Sequence, residues 1–129
     1  MDASQVVREL WTRAQARDWT GLGDLIAEDA VIDWPVSDER IVGRDNYVAI
    51  DREYPEGWEI RILRIIGSGN EAVSEVQVLH QHLGDFRAVS LWTVKDGQIV
   101  HGTEYWTSPA SEQPRPDRAA YTERLQSTD

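Results

Sequence analysis

The stretch that decides the fold is residues 86–106, FRAVSLWTVKDGQIVHGTEYW. Apolar and polar residues alternate on either side of Lys95-Asp96-Gly97, a turn sequence. Two strands joined by so short a turn pair antiparallel. The stretch therefore predicts a β-hairpin with strands at 86–94 and 98–106.

The same period of two continues upstream of this hairpin, and a helical period precedes it. Strands are predicted at 58–66 and 71–82, each bounded by a glycine-containing turn. The N-terminal half has helical spacing at 4–17, 22–28 and 44–54, with a short strand at 30–34 that Pro35 ends. Helices followed by an antiparallel meander indicate an α+β fold in which the helices cover one face of the sheet.

Length and composition favour one domain and exclude several classes of function. The 129 residues are 40% hydrophobic and include six tryptophans, enough to build a core. A net charge of -10, with Lys95 as the single lysine, argues against nucleic acid. The absence of cysteine excludes disulfides and thiolate chemistry. No apolar run reaches the roughly 18–20 residues of a membrane span, and residues 1–4 lack signal-peptide features, so we expect a cytoplasmic protein that contacts no membrane.

The chain is predicted to divide near residue 107. Residues 1–107 carry the helical and strand patterns. Residues 108–129 read as a proline-rich linker and a short helix, 117–125, packed on the body or on a partner.

Three segments carry a resemblance to a known family. They are residues 16–35 (ARDWTGLGDLIAEDAVIDWP), Gly43 before a helix, and residues 94–106 (VKDGQIVHGTEYW). Over about residues 5–107 the chain resembles the SnoaL-like and ketosteroid isomerase-like members of the nuclear transport factor 2-like superfamily. The resemblance implies a cone-shaped fold, with three helices on a curved antiparallel sheet (a cystatin-like roll) around a deep pocket. It leaves the reaction open, because this superfamily contains isomerases, cyclases, epoxide hydrolases and non-catalytic binders.

The resemblance also implies two catalytic candidates. Asp33 resembles the general base that follows the first strand in ketosteroid isomerases, while the tyrosine and aspartic acid of their oxyanion hole correspond here to Leu10 and Ser90. Glu104 resembles the last-strand acid of limonene-epoxide hydrolase-like members, although residues 75–82 lack the accompanying arginine and aspartate. As an alternative, Asp33 only caps the turn before Pro35.

The predicted hairpin makes Glu104 the sharpest candidate on geometry alone. A three-residue loop would pair Val94 with Gln98. One face would then form a pocket wall from Ala88, Ser90, Trp92, Val100, Gly102, Glu104 and Trp106. The other would form a homodimer face, as is frequent in this family, from Val89, Leu91, Thr93, Ile99, His101, Thr103 and Tyr105. A two-residue loop would exchange the faces.

On an apolar wall Glu104 would be desolvated, and its pKa would rise toward the range that suits a general acid or base. The alternative is a strand-end glutamate that reaches water or pairs with an arginine.

His80 and His82 share one side of their strand. His80 is a candidate proton shuttle, but in the other register Glu75 and Gln77 face inward. No third ligand has metal-site spacing, so we predict no metal and no cofactor.

Aromatic residues with one serine are predicted to bind a flat, apolar organic ligand: Trp11, Trp34, Tyr47, Ser90, Trp92 and Trp106. The alternative is that these residues are plain core.

The function predicted from sequence is a cofactor-independent isomerase, cyclase or hydratase, with Asp33 and Glu104 as its acid–base pair. The alternative is a non-catalytic ligand-binding or dimeric interaction module.

Overall fold

The structure, a computed structural model, describes residues 1–108 and 112–125. Its elements in chain order are α1 (Ala3–Gln15), α2 (Trp19–Asp24), β1 (Ile26–Trp34), β2 (Glu39–Val42), α3 (Arg44–Glu53), β3 (Trp58–Ser68), β4 (Glu71–His80), β5 (Gly84–Lys95) and β6 (Gln98–Thr107). The predicted α+β cone, with three helices on a curved sheet, is confirmed. In the described part of the chain, no helix has the length and apolar character needed to cross a bilayer.

The sheet differs from the prediction in being mixed. Its six strands lie in the order β2-β1-β6-β5-β4-β3. The pairs from β3 to β6 are antiparallel, as expected of a meander, but β1 runs parallel to β6. Sequence patterns show where a strand is, while the strand beside which it lies depends on contacts distant in the chain.

The N-terminal segments also differ in their bounds. β1 begins at Ile26, within the stretch predicted as the second helix, and β2 was not predicted. Pairing outweighs helix propensity here: the Ile99 amide donates to the Leu25 carbonyl at 2.8 Å, and Ile26 lies opposite Ile99 on β6.

The core lies between α1 and the inner face of the sheet. Helical spacing places Val6, Val7 and Leu10 on one face of α1, where each is at most 1% exposed. At the centre, Ser74 Oγ accepts hydrogen bonds from Trp11 Nε1 at 3.1 Å and Trp92 Nε1 at 2.9 Å. This shared acceptor satisfies both buried indoles.

The β5–β6 hairpin has a different loop from the predicted one but nearly the predicted faces. Lys95 pairs with Gln98 across a two-residue loop, and a bulge at Val100 follows, so that Trp92 pairs with Gly102. The two shifts of one residue add up to two, which restores the facing of every residue beyond the bulge. Only Ile99 and Val100 are exchanged: Ile99 is fully buried and Val100 only partly.

The predicted helix at 117–125 is not formed. Residues 112–125 are exposed and contain one turn of 3-10 helix, Pro116–Arg118. An isolated helix of fewer than about 12 residues is marginal in water, and this segment has no apolar stripe that contacts the body. Residues 109–111 and 126–129 of the predicted linker and tail lie outside the described residues.

Candidate functional site

A cavity of about 330 Å³ opens between α3, the C-terminal part of α1 and the inner face of the sheet. Its volume lies in the range of small-molecule sites. Most of its wall is aromatic or aliphatic, and two of its four polar residues are the acids Asp51 and Glu104. The lining residues are Trp11, Trp34, Val36, Ser37, Glu39, Tyr47, Ile50, Asp51, Tyr54, Trp58, Ile60, Val78, Phe86, Glu104 and Trp106.

Glu104 is the most buried acid of this wall, at 1% exposed. Trp34 Nε1 donates to its Oε1 at 3.0 Å, and Ser90 Oγ donates to its Oε2 at 2.8 Å. Burial raises the pKa of Glu104 to about 7, and the two hydrogen bonds, which favour the charged form, oppose that rise. The carboxyl is therefore held in place and can exchange a proton near neutral pH.

The indole of Trp106 also faces Glu104, but less directly. Its N–H lowers the pKa of Glu104. Nevertheless Trp106 Nε1 is buried without a hydrogen-bond partner among the described residues. We therefore take the N–H as a longer polar contact, not as a third hydrogen bond.

Asp51 is the site residue that sequence reasoning missed. It lies on α3 one turn after the buried Tyr47, and it is partly buried in the cavity wall. Burial, and then the charge of Glu104, raise the pKa of Asp51 to about 8. Its spacing of four from Tyr47, which places both on one helix face, is the signal that could have found it.

Tyr47 completes this group. It is 4% exposed, and burial together with the charges of Glu104 and Asp51 raises its pKa well above the ordinary tyrosine value. Within residues 1–108 and 112–125, neither the Tyr47 hydroxyl nor the Asp51 carboxyl has a hydrogen-bond partner, whereas both oxygens of Glu104 do.

Asp33 lies outside the cavity, contrary to the expectation. Arg40 Nε donates to its Oδ1 at 2.6 Å, and His101 Nε2 is 3.6 Å from its Oδ2. The hydrogen bond from Arg40 lowers the pKa of Asp33. The reason is strand alternation: Ile32 and Trp34 face inward, so the residue between them faces out.

His80 faces the inner side of the sheet but is held by the backbone at the end of β4. Its Nε2 lies 2.8 Å from the Pro55 carbonyl oxygen, and its Nδ1 accepts from the amides of His82 and Leu83 at 3.0 and 3.2 Å. Only a neutral ring protonated at Nε2 satisfies all three contacts. His80 does not line the cavity. In the same register Glu75 and Gln77 face outward.

The remaining predicted ligand-binding residues divide into two groups. Trp11, Trp34, Tyr47 and Trp106 line the cavity. Ser90 and Trp92 do not: Ser90 supports Glu104 from behind, and Trp92 packs in the core over Gly102, where an added Cβ would lie 2.6 Å from the ring. Among the described residues no cluster of three or more His, Cys, Asp or Glu has the geometry of a metal site.

Comparison with known proteins gives the family and the fold. Residues 7–102 match the model of the SnoaL-like domain. No curated protein matches the sequence at a significant level.

Solved structures give the same fold. A protein from Kribbella flavida described as a candidate ketosteroid isomerase is similar at 27% identity and a TM-score of 0.88, over 96% of this chain and 90% of that one. An NTF-2 like protein of unknown function from Burkholderia xenovorans is similar at 28% identity and a TM-score of 0.74, over 95% and 94%. An LEH-like epoxide hydrolase from M. tuberculosis shares the fold at 23% identity and a TM-score of 0.70, over 81% and 82%.

The family model covers most of the chain, and the helices, the sheet and the enclosed cavity are those expected of such a domain. The chain belongs to the SnoaL-like domain family.

Proposed function

We propose that this protein is a cofactor-independent enzyme that moves protons on a small apolar molecule, with Glu104 as the group that takes and returns the proton. The observation that carries the proposal is the environment of this carboxyl: it is buried in an apolar cavity wall, oriented by two hydrogen bonds, and its pKa is raised to about 7. A general acid–base group works best when its pKa lies near the operating pH.

The proposed chemistry needs no co-reactant. Ionised Glu104 removes a proton from a carbon of the bound molecule and becomes a carboxylic acid. The same acid then returns the proton to another atom of that molecule, so that the net result is an isomerisation. The aromatic wall shields the proton from water between the two steps. The similarity to the candidate ketosteroid isomerase supports this class of reaction.

Asp33, the partner predicted from sequence, is not part of this proposal. Its pairing with Arg40 on the outer surface keeps it away from any molecule in the cavity. His80 is likewise left out, because its ring is held by three backbone groups.

Deuterium exchange tests the proposal with model ketones in place of the natural substrate. Bicyclic ketones such as α-tetralone, which are small enough for the cavity, are incubated with the protein in D2O, and loss of the α-proton signal is followed by proton NMR. We expect the wild-type protein to accelerate exchange and Glu104→Gln to reduce that acceleration at least ~100-fold.

Glu75→Gln is the matched control, since Glu75 lies on the outer face of β4 and pairs with Arg64 and Arg87. It should exchange ketones as the wild type does. Equal exchange by wild type and Glu104→Gln would contradict the assignment. Ketones that bind tightly and never exchange would favour a non-catalytic ligand-binding module instead.

A homodimer through the sheet is proposed as the assembly in which this site operates. The outer face presents Val73, Val89, Leu91 and Tyr105, which are 37%, 38%, 47% and 43% exposed. Register places Val73 beside Leu91 and Val89 beside Tyr105, so the four form one patch across three strands. Light scattering on a size-exclusion column should show a dimer that Leu91→Lys converts to a monomer. A monomeric wild type would refute it.

A further inference from the structure

We infer that Tyr47 and Asp51 form the oxygen-binding end of the cavity, where their two O–H groups hold the carbonyl oxygen of an uncharged ketone or enone. This inference rests on the proposed function of Glu104 and names the substrate class and a further catalytic residue for it.

The first support is position. Tyr47 and Asp51 are four residues apart on α3, so they lie side by side on one face of the helix. Both line the same cavity as Glu104, which lies on β6 in the sheet. A small molecule in the cavity can therefore contact the helix at its oxygen and the sheet at a neighbouring carbon.

The second support is the hydrogen-bond inventory. Both oxygens of Glu104 already accept a hydrogen bond from the protein. In the described part of the chain the Tyr47 hydroxyl and the Asp51 carboxyl have no such partner, although Tyr47 is only 4% exposed. Buried polar groups normally have a partner, and here the space in front of the two groups is the cavity.

The third support is charge. The lining contains no Arg, Lys or His, and its acids are Glu39, Asp51 and Glu104. An anionic ligand would meet only acids and no cation. Two ionised carboxylates in one apolar cavity repel each other, so one of them keeps its proton near neutral pH.

Asp51 is the acid that keeps the proton, because no described donor stabilises its charged form. The burial of Asp51 and the charge of Glu104 raise its pKa to about 8. The other titratable groups of the wall are Tyr47 and Tyr54 on the side of α3 and Glu39 on β2, and none of them supplies a positive charge.

The resulting step is balanced in atoms and charge. The Asp51 and Tyr47 O–H groups donate to the carbonyl oxygen while Glu104 removes the α-proton, and the negative charge that leaves Glu104 appears on the substrate oxygen. The same two donors stabilise that enolate oxygen. Return of the proton from Glu104 to carbon restores the starting charges.

A matched set of bicyclic compounds tests the inference. Binding of α-tetralone, of tetralin (the same skeleton without oxygen), of aminotetralin and of tetralin carboxylate is measured by quenching of intrinsic tryptophan fluorescence. At about pH 6, where Asp51 is protonated, we expect α-tetralone to bind about tenfold more tightly than tetralin, in line with one or two neutral hydrogen bonds. The carboxylate should bind most weakly.

Variants separate this inference from the function of Glu104. Tyr47→Phe and Asp51→Leu should each reduce the preference for α-tetralone several-fold. Asp51→Asn keeps an N–H donor and should retain the preference, but without the decrease that the wild type shows above about pH 8. Glu104→Gln should keep the ketone preference while losing deuterium exchange.

Several results would overturn the inference. These are equal binding of α-tetralone and tetralin by the wild type, tighter binding of aminotetralin than of α-tetralone, and an unchanged preference in folded Tyr47→Phe together with Asp51→Asn that titrates as the wild type does. If any of these occurs while Glu104→Gln still abolishes exchange, the proposed function stands and the assignment of Tyr47 and Asp51 fails.

Discussion

The indole N–H of Trp34 donates to Glu104 Oε1 at 3.0 Å, although the two residues are 70 positions apart in the chain. On the other side of β6, the Ser90 hydroxyl donates to Glu104 Oε2 from the directly paired position on β5. The carboxyl thus lies between two strands that each supply one donor. This arrangement depends on β1 running beside β6, and it leads to the first prediction.

Ser90→Ala should raise the pKa of Glu104 further. The lost hydrogen bond favours the ionised form, and a bond to a charged group is worth about 1.5 kcal/mol or more, which corresponds to a rise of about one unit. The Trp34 indole N–H resonance, followed against pH by NMR, reports the titration directly. The indole resonances of Trp11 and Trp92, which donate to Ser74, serve as internal controls. A titration midpoint that stays in place would show that Ser90 does not stabilise the ionised carboxyl.

Stability should fall as pH rises from about 5 to about 8. The folded-state pKa values of Glu104 and Asp51, about 7 and about 8, lie above their ordinary values of 4.5 and 3.8. The folded protein therefore binds protons that the unfolded chain has released, and this stabilisation is complete below the ordinary values and lost as pH passes the folded ones. For Glu104 a rise of about 2.5 units corresponds to roughly 3 kcal/mol.

Urea unfolding at several pH values measures this dependence. Glu104→Gln cannot ionise, so it should be more stable than the wild type at about pH 8.5 and should show a shallower slope. Asp33→Asn is the control, because the pKa of Asp33 is lowered and its titration falls below this range of pH. A wild-type protein that gains stability over the same range would contradict the raised pKa values.

His80→Ala should destabilise the fold by about 2–3 kcal/mol without changing ketone binding. The substitution leaves the amides of His82 and Leu83 without their acceptor and removes the contact to the Pro55 carbonyl. His82→Ala, two residues later at an exposed position, should change stability by less than about 0.5 kcal/mol. Loss of deuterium exchange in His80→Ala at unchanged stability would return His80 to the catalytic site.

The placement of Glu104 could be predicted from sequence although the hairpin loop could not. Alternation along β6 assigns Gly102, Glu104 and Trp106 to one face whatever the partner strand does. The two-residue loop and the bulge at Val100 each shift the pairing by one residue, and together they leave that face unchanged. The prediction thus rested on the regular period of the strand, while its assumed register was wrong.

Asp33 and Asp51 show the opposite case. The resemblance placed Asp33 at the pocket, yet its neighbours Ile32 and Trp34 are the residues that face inward. Asp51 stood in the sequence as one of several acids around a short helix. Its importance appears only when α3 packs with Tyr47 and Asp51 toward the cavity, because a helix period gives the face of a helix and not what that face meets.

The sequence by itself determined the α+β class, the four-stranded meander, the buried aromatic wall and the inward facing of Glu104. These features depend on local periods of two and 3.6 residues, which act through neighbouring side chains. Only the tertiary structure decided the parallel pairing of β1 with β6, the hydrogen bond from Trp34 to Glu104 and the approach of Asp51 to the same cavity. Each of these brings together residues from distant segments, and their raised pKa values arise from burial and mutual charge, which exist only once the chain has closed around the cavity.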